Sequence, residues 1–446
     1  MGLRPYQQAA LEAARAHYRD GARSVLIVGP TGMGKTVLFS AVAREHIARG
    51  GRVLVVVHRR ELLAQARARL EREGIGDVGV IIAGQPRTAN ARVQVASVGT
   101  LLREAAMPDA TLLIFDEAHH FVADQWAKVA ARYSGAKILG VTATPERADG
   151  TPLGDLFERI VIATTVRELT DARFLVPCRV VAPARRRRTS AVDALEAYRE
   201  HANGRPTVVF CTSVEEAREL ADAFVTAGVR AACVDGKIAE SVRAERLEAF
   251  ARGELDVLTN VHVLTEGWDQ PRAEVCILAR GCSSVGTYLQ IVGRILRPSE
   301  GKSEALLVDL RGAVHAHGLP DEERTFSLAG RPIGRGPTKA CKGCGAKIIA
   351  ATRVCPLCGT AQPARAREDE GAERLSRVDQ RALERAFFVE SLQRARLRGY
   401  RRGWIVHRFL KRFGKRPWAL WREFFPKPAG TPPAIAHVEL ERGATP

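Results

Sequence analysis

Eight consecutive residues, Gly29-Pro30-Thr31-Gly32-Met33-Gly34-Lys35-Thr36, combine backbone freedom, a cation and a hydroxyl at a spacing suited to one task. Glycines let a main chain approach a bulky anion, and the N–H groups of such a loop, with the positive start of a following helix, point at that anion. A loop of this kind cradles the phosphates of a nucleoside triphosphate, with Lys35 as a point charge on the β/γ oxygens and the Thr36 hydroxyl able to ligate Mg²⁺. Two other sets are chemically pointed: Asp116-Glu117-Ala118-His119, and the paired cysteines Cys341/Cys344 and Cys355/Cys358, with ten residues between the pairs.

Each set needs an element to hold it. The apolar run Val25–Val28 before the loop reads as a buried strand, and residues Val37–Arg49 after it read as a helix. Further apolar runs, Arg52–Val57, Val93–Ser97, Thr111–Phe115 and Lys137–Val141, alternate with helical stretches such as the alanine-rich one ending near Arg19 and the one starting at His58. This alternation specifies a doubly wound α/β domain with a parallel sheet. Open sheets of this class bind ligands at the C-terminal ends of their strands, where Asp116 and Glu117 fall. Asp116 is placed to hold Mg²⁺ and Glu117 to polarise an attacking water. Just upstream, the Gln7 amide can donate to and accept from an adenine edge.

At 446 residues the chain exceeds what one core supports, so more than one large domain is expected. A net charge of +18 and a pI near 10.0 point to a polyanionic partner. Cys178, Cys211, Cys233, Cys276 and Cys282 lie scattered in apolar segments as small hydrophobes, the pattern of a reducing, cytoplasmic setting. No apolar run approaches membrane-spanning length, and Tyr6 breaks the pattern for N-myristoylation. No internal sequence repeat is evident.

GPTGMGKT, DEAH and Thr142-Ala143-Thr144, in this order, resemble motifs I, II and III of the superfamily 2 helicases and translocases. The second half continues the resemblance. Thr207–Ser213 is similar to motif IV, Asp256–Asn260 through Glu266-Gly267-Trp268-Asp269 to motif V, and Gln290-Ile291-Val292-Gly293-Arg294-Ile295-Leu296-Arg297 to motif VI. The resemblance spans about residues 3–310 and implies two RecA-like doubly wound domains in tandem, at residues 1–165 and 166–325, that bind ATP and Mg²⁺ between them. It implies catalytic roles for Lys35, Asp116, Glu117, Gln290, Arg294 and Arg297. Nucleotide contacts are implied from Arg4, Gln7, the loop residues Gly29, Pro30, Thr31, Gly32, Met33, Gly34, Lys35 and Thr36, and Asp116, Gly267 and Asp269. It places Arg59, Thr100, Thr212, Ser213 and Asn260 on a nucleic-acid track. The second half has no phosphate loop, so Arg294 and Arg297, three apart and expected on one helix face, must act on the first domain's nucleotide as arginine fingers. The DEAH form, with Gln290 opening motif VI, is closer to DNA repair, restriction and phage helicases than to RNA enzymes, although an RNA helicase and a DNA-remodelling translocase share these motifs.

Outside the motor, Arg185-Arg186-Arg187-Arg188 either touches nucleic acid or is a basic linker. The four clustered cysteines suit a tetrahedral zinc ribbon at residues 338–362, a closed site that supports a fold rather than a reaction; a redox dithiol is the alternative. Ser376-Arg377-Val378-Asp379 reads as a capping-box start to a helical module at 375–426, which is strongly basic and studded with Tyr400, Trp404, Phe409, Phe413, Trp418, Trp421 and Phe424. The aromatics form either a small core or, with the basic residues, an accessory surface for nucleic acid or a protein partner. Residues 427–446 are expected to be a disordered tail.

Overall fold

The computed structural model describes residues 2–58, 62–82, 91–103, 107–120, 123–145, 153–183, 192–265, 267–329, 338–340, 347–349, 360, 376–398 and 400–425. By internal contacts the chain divides into two units, Met1–Val378 and Asp379–Pro446.

The first unit contains two seven-stranded sheets. Strands β1 (Ser24–Val28), β2 (Val53–Val57), β3 (Val78–Ile81), β4 (Val93–Ser97), β5 (Leu112–Asp116), β6 (Lys137–Thr142) and β7 (Arg159–Ile162) form the first, in the order β3-β4-β2-β5-β6-β1-β7. Every pairing in it is parallel. β1, β2 and β4 are buried along their whole length, as continuous Val/Leu/Ile runs must be when helices cover both faces. Leu26, Leu54, Leu113, Phe115 and Phe157 are fully buried in one core on this sheet, each contributing about 1.5–3 kcal/mol. Registers Val28↔Thr142 and Asp116↔Val141 bring the ends of β1, β5 and β6 to one edge.

The second sheet is built from β8 (Cys178–Ala182), β9 (Thr207–Phe210), β10 (Ala231–Val234), β11 (Val257–Asn260), β12 (Val275–Leu278) and β13 (Ala305–Asp309), joined by β16 (Ser376–Arg377). Its order is β10-β11-β9-β12-β13-β8-β16. Between β13 and β16 in the chain lies a separate hairpin, β14 (Thr338–Ala340) with β15 (Lys347–Ile349).

The expected capping box at Ser376 is corrected here. Ser376 and Arg377 pair antiparallel with β8, because the open edge of β8 offers unpaired backbone groups that a short extended segment satisfies. The following helix, Gln380–Arg398, starts instead at Asp379, whose Oδ1 accepts from Ala382 N at 2.8 Å.

After the helix Ala313–His317 the chain returns to the first sheet. Phe326 and Leu328 pack on that sheet's core, and Gly154 N donates to Leu328 O at 2.8 Å. In the second unit, helices Gln380–Arg398, Arg402–Phe413 and Trp418–Phe424 enclose a core of Phe388, Ile405, Phe409 and Leu420. No helix among the described residues is long and apolar enough to cross a membrane.

Candidate active site

The loop after β1 takes the shape its glycines permit. Gly32 and Gly34 have φ of +94° and +81°, and Gly34 is the left-handed N-cap of helix Lys35–Ala48. No side chain caps that helix, so its first N–H groups face the loop's concavity. Residues 4–7 brace the loop. Tyr6 Oη and Gln7 Nε2 donate to Met33 O at 2.8 and 2.9 Å, Gln7 Nε2 also reaches Gly34 O at 3.2 Å, and Gln7 Oε1 accepts from Arg4 N at 2.9 Å. The Gln7 amide is thus engaged by the main chain at both ends. Arg4 lies 4.0 Å over the Phe174 ring.

Across from the loop, Lys35 Nζ stands 3.5 Å from Glu117 Oε1. Glu117 has φ +49°, a left-handed conformation for a non-glycine residue held at the end of β5. Asp116 accepts from Glu117 N through Oδ1 at 3.0 Å. Burial first, then the neighbouring Glu117 charge, push its carboxyl up from an ordinary 3.8 to about 6, against the pull of Lys35 and Arg69. A half-buried carboxyl of this kind, lining the same cavity as Thr36, suits a cation, which would favour its charged form.

The second sheet's side contributes arginines. Arg294, almost fully buried, donates from Nε and Nη2 to Thr265 O at 2.9 and 2.6 Å and from Nη1 to Trp268 O at 2.7 Å. Arg297 pairs with Asp269. The expectation that both share one helix face is corrected. Helix Val285–Val292 ends before them, with Gly293 as its C-cap, and each arginine is instead fixed separately on the segment around Gly267 to Asp269. They still reach one place. A cavity of about 350 Å³ is lined by Gly32, Lys35, Asp116, Glu117, Arg294 and Arg297, among others, within the range of small-molecule sites.

A buried relay ties the two sides. Gln290 Nε2 lies 3.1 Å from His119 Nε2, His119 Nδ1 lies 2.8 Å from Thr142 Oγ1, and Thr142 Oγ1 donates to Thr144 O at 2.7 Å. With Gln290 as donor, the network assigns the proton of His119 to Nδ1. Two glycines allow the close approach. A Cβ on Gly293 would sit 2.5 Å from Thr31 Cβ, and one on Gly286 would sit 2.7 Å from Thr144 Oγ1.

Sequence reasoning missed some of this. Arg69 Nη1 lies 3.4 Å from Thr36 Oγ1 and lines the cavity, yet it belongs to none of the motifs and was not singled out from the sequence. His119 and Tyr6 were not singled out as site residues; their position beside the DEAH carboxylates and the phosphate loop was the available signal.

Of the expected nucleic-acid residues, Thr212, Ser213 and Asn260 lie at the ends of the neighbouring strands β9 and β11, and Thr100 lies in the first lobe. Thr100 is buried with its Oγ1 2.8 Å from Ser97 Oγ, Ser213 caps helix Val214–Thr226 by accepting from Glu216 N, and buried Asn260 donates to Val209 O at 3.0 Å. Thr212 is exposed, with its N–H on Glu216. Arg59, Arg185–Arg188 and the cysteines Cys341, Cys344, Cys355 and Cys358 lie outside the described residues, as does the tail 427–446. The paired strands β14 and β15 flank the first two of those cysteines.

Residues 1–147 match the family described as "Type III restriction enzyme, res subunit", and residues 190–299 match "Helicase conserved C-terminal domain". A 51.5 kDa protein of a Lactococcus phage (isolate 7-9) is 29% identical over 364 residues, 75% of this chain and 77% of that one. A Schizosaccharomyces pombe protein named as a mitochondrial ATP-dependent helicase, irc3, is 30% identical over 372 residues, 73% of this chain and 61% of that one. The DNA 3'-5' translocase XPB2 of Sulfurisphaera tokodaii is 26% identical across 69% of this chain and 81% of its own. The chain therefore spans three quarters of the phage protein but less than two thirds of irc3. Among solved structures, a fragment described as an HsdR subunit of a type I restriction enzyme from Vibrio vulnificus YJ016 aligns with TM-score 0.57 at 24% identity, covering 74% of this chain and 67% of that one. At these identities the structural likeness speaks to the fold alone.

Proposed function

Because the chain belongs to the superfamily 2 helicases of the restriction and repair branch, we propose that it hydrolyses ATP between its two lobes to move along or unwind DNA. The observation that carries this reading is the shared cavity, to which one sheet's edge brings Lys35, Asp116 and Glu117 and the other brings Arg294 and Arg297. The loop from Gly29 to Thr36 binds the phosphates, Glu117 orients the attacking water, and Arg297 and Arg294 offset charge that develops on the transferred phosphoryl group. Mg²⁺ held by Thr36 and Asp116 would supply neutralisation of phosphate charge. Gln7 serves as the brace of the phosphate loop and, through Arg4, of the nucleotide's base end. Arg59, Thr100, Thr212, Ser213 and Asn260 remain the proposed track for DNA, and Gly267 and Asp269 position the arginines.

Four thiols in two CxxC pairs, with paired strands around the first, fit a structural Zn²⁺ held by Cys341, Cys344, Cys355 and Cys358. The scattered cysteines Cys178, Cys211, Cys233, Cys276 and Cys282, four of them buried, suit small hydrophobes in a reducing, cytoplasmic setting.

The decisive measurement is the ATPase rate with single-stranded, duplex and forked DNA and with RNA in parallel. Stimulation by DNA is expected. Stimulation by RNA alone would assign the motor to RNA, and none by any nucleic acid would sink the reading. Zinc content measured on the purified chain, compared with Cys341→Ser, tests the metal.

A further inference from the structure

We propose that the C-terminal unit is a grip for single-stranded DNA in which the exposed rings of Tyr400 and Trp418 stack on bases while the arginines around them hold phosphates. This rests on the reading of the chain as a DNA motor and adds a second binding site outside the matched helicase domains, which end at residue 299.

Charge is the first argument. Residues 379–425 contain thirteen Lys and Arg against four Asp and Glu, so this tenth of the chain carries nine of its eighteen net positive charges. The acids are engaged internally: Glu384 with Lys415 at 2.8 Å, Glu390 with Arg408 at 3.0 Å, Glu423 with Arg385 at 2.8 Å, and Asp379 at its helix cap. Arg394, Arg396, Arg398, Arg401, Lys411 and Arg416 are exposed. Such a surface attracts a polyanion.

The aromatics decide which polyanion. Most form the core: Phe388 and Phe409 are fully buried, and Phe387, Phe413, Trp421 and Phe424 pack on them. Tyr400 and Trp418 are left 45% and 47% exposed. Tyr400 packs against Trp404, with ring centroids 4.7 Å apart and planes tilted by 40°. The Arg416 guanidinium stands 5.8 Å from the Trp418 ring. In the chain Tyr400 precedes and Trp418 follows the twelve-residue helix Arg402–Phe413, itself about 18 Å long. Bases of a duplex are already stacked and offer no faces, whereas those of a single strand do, and aromatics among basic residues are how such strands are held without sequence preference. A membrane surface fits less well, because Ile405 and Phe409 of Arg402–Phe413 are taken up by the unit's own core and only Leu397 and Leu410 among the unit's described large aliphatic side chains stand exposed.

The test uses the full chain. Affinity for a labelled oligodeoxythymidine and for a blunt duplex is measured across a salt series for wild type, Tyr400→Ala, Trp418→Ala, the conservative Tyr400→Phe and Trp418→Phe, and the triple variant Arg396→Ala/Arg398→Ala/Arg401→Ala. Each alanine replacement of a ring should weaken single-strand binding by about tenfold with an unchanged salt slope, and the phenylalanine variants should bind as wild type. The triple variant should lower the log–log slope on the single strand by about 2. Basal ATP turnover should be unchanged in all of them, and more single-stranded DNA should be needed for half-maximal stimulation while the maximum is kept. Unaltered single-strand affinity in both alanine variants, or an equal loss on duplex, would overturn the inference. A wild-type protein without DNA stimulation would instead count against the motor reading.

Discussion

The two sheets of the first unit have the same strand order, and they do different chemistry. Numbered along its own lobe, each reads 3-4-2-5-6-1-7, the last strand parallel in the first sheet and antiparallel in the second. Yet β1 runs into Gly29–Thr36 while its counterpart β8 runs into Ala182-Pro183, and β5 ends in Asp116 while its counterpart β12 ends in Leu278. A fold repeated without its edge residues repeats a scaffold only. The second lobe brings Arg294 and Arg297 to the shared cavity, where their proposed role requires phosphates on the first lobe's loop.

The comparison breaks most sharply at those unshared residues. Arg297→Ala should cut DNA-stimulated ATP turnover by about 10³-fold with little change in ATP affinity, and Glu117→Gln should cut hydrolysis by about 10²-fold while the nucleotide still binds. Single-turnover hydrolysis beside equilibrium ATP binding checks both. Full stimulation in Arg297→Ala would reduce the second lobe to a clamp. Arg294→Ala should differ from Arg297→Ala by also destabilising the fold, by about 2 kcal/mol, since it removes the buried donor of the Thr265 carbonyl and leaves the Trp268 carbonyl only the longer bond from Arg297.

The seam between the lobes gives a smaller effect. Gly293→Ala puts a methyl 2.5 Å from Thr31 Cβ, so the two must separate by about an ångström, at a cost of roughly 1–3 kcal/mol to the closed form. Stimulated turnover should fall about 10- to 100-fold while thermal unfolding moves less, because Gly293 has an ordinary helical φ and, within its own helix, the atom nearest an added Cβ is the Leu289 carbonyl oxygen, at 3.0 Å. A normal rate in this variant would mean that catalysis does not require the closed seam.

Gly293 also marks where sequence reading stops. The phosphate loop and the strands of the first sheet were legible because their signals are local: glycines at fixed offsets, and runs such as Val53–Val57 that only a doubly covered strand tolerates. Edge strands of two to four residues, β3, β7 and β16, carry too little pattern and are defined by the neighbour they pair with. Nothing around Gly293 says that its missing side chain matters; the neighbour that needs the space is Thr31, more than two hundred residues earlier. Arg294 and Arg297 were found by their motif, but their anchoring on Trp268 and Asp269 is tertiary and was not visible. Arg69 was hidden for the same reason.

Asp116 ties the first lobe's edge to pH. Its carboxyl titrates near 6 in the fold against 3.8 ordinarily, so the folded chain binds the proton more tightly. The stability from this group is therefore full below 3.8 and is lost as pH rises to about 6. Mg²⁺ has the opposite preference, since it needs the carboxylate. Mg²⁺-dependent ATP affinity should thus be flat above pH 7 and fall by up to tenfold per unit below 6, and Asp116→Asn should abolish that slope. Isothermal titration between pH 5 and 8 reads it, and a flat wild-type profile would remove Asp116 from the metal.

The smallest expected effect concerns a residue with no matching part in the motif set. Arg69 reaches Thr36 Oγ1 from helix Leu62–Arg72 and lowers the Asp116 carboxyl through its charge. Replacing it with Gln keeps hydrogen-bonding capacity and removes the charge, so the carboxyl should titrate higher and hold Mg²⁺ less well at acid pH. Arg69 is partly exposed and solvent screens its charge, which limits the loss to about two- to fivefold. That loss should be larger at pH 6 than at pH 8, where Asp116 is ionised with or without help, and Arg69→Lys should restore it. A loss equal at both pH values would make Arg69 a direct phosphate contact, and no loss at either would remove it from the site.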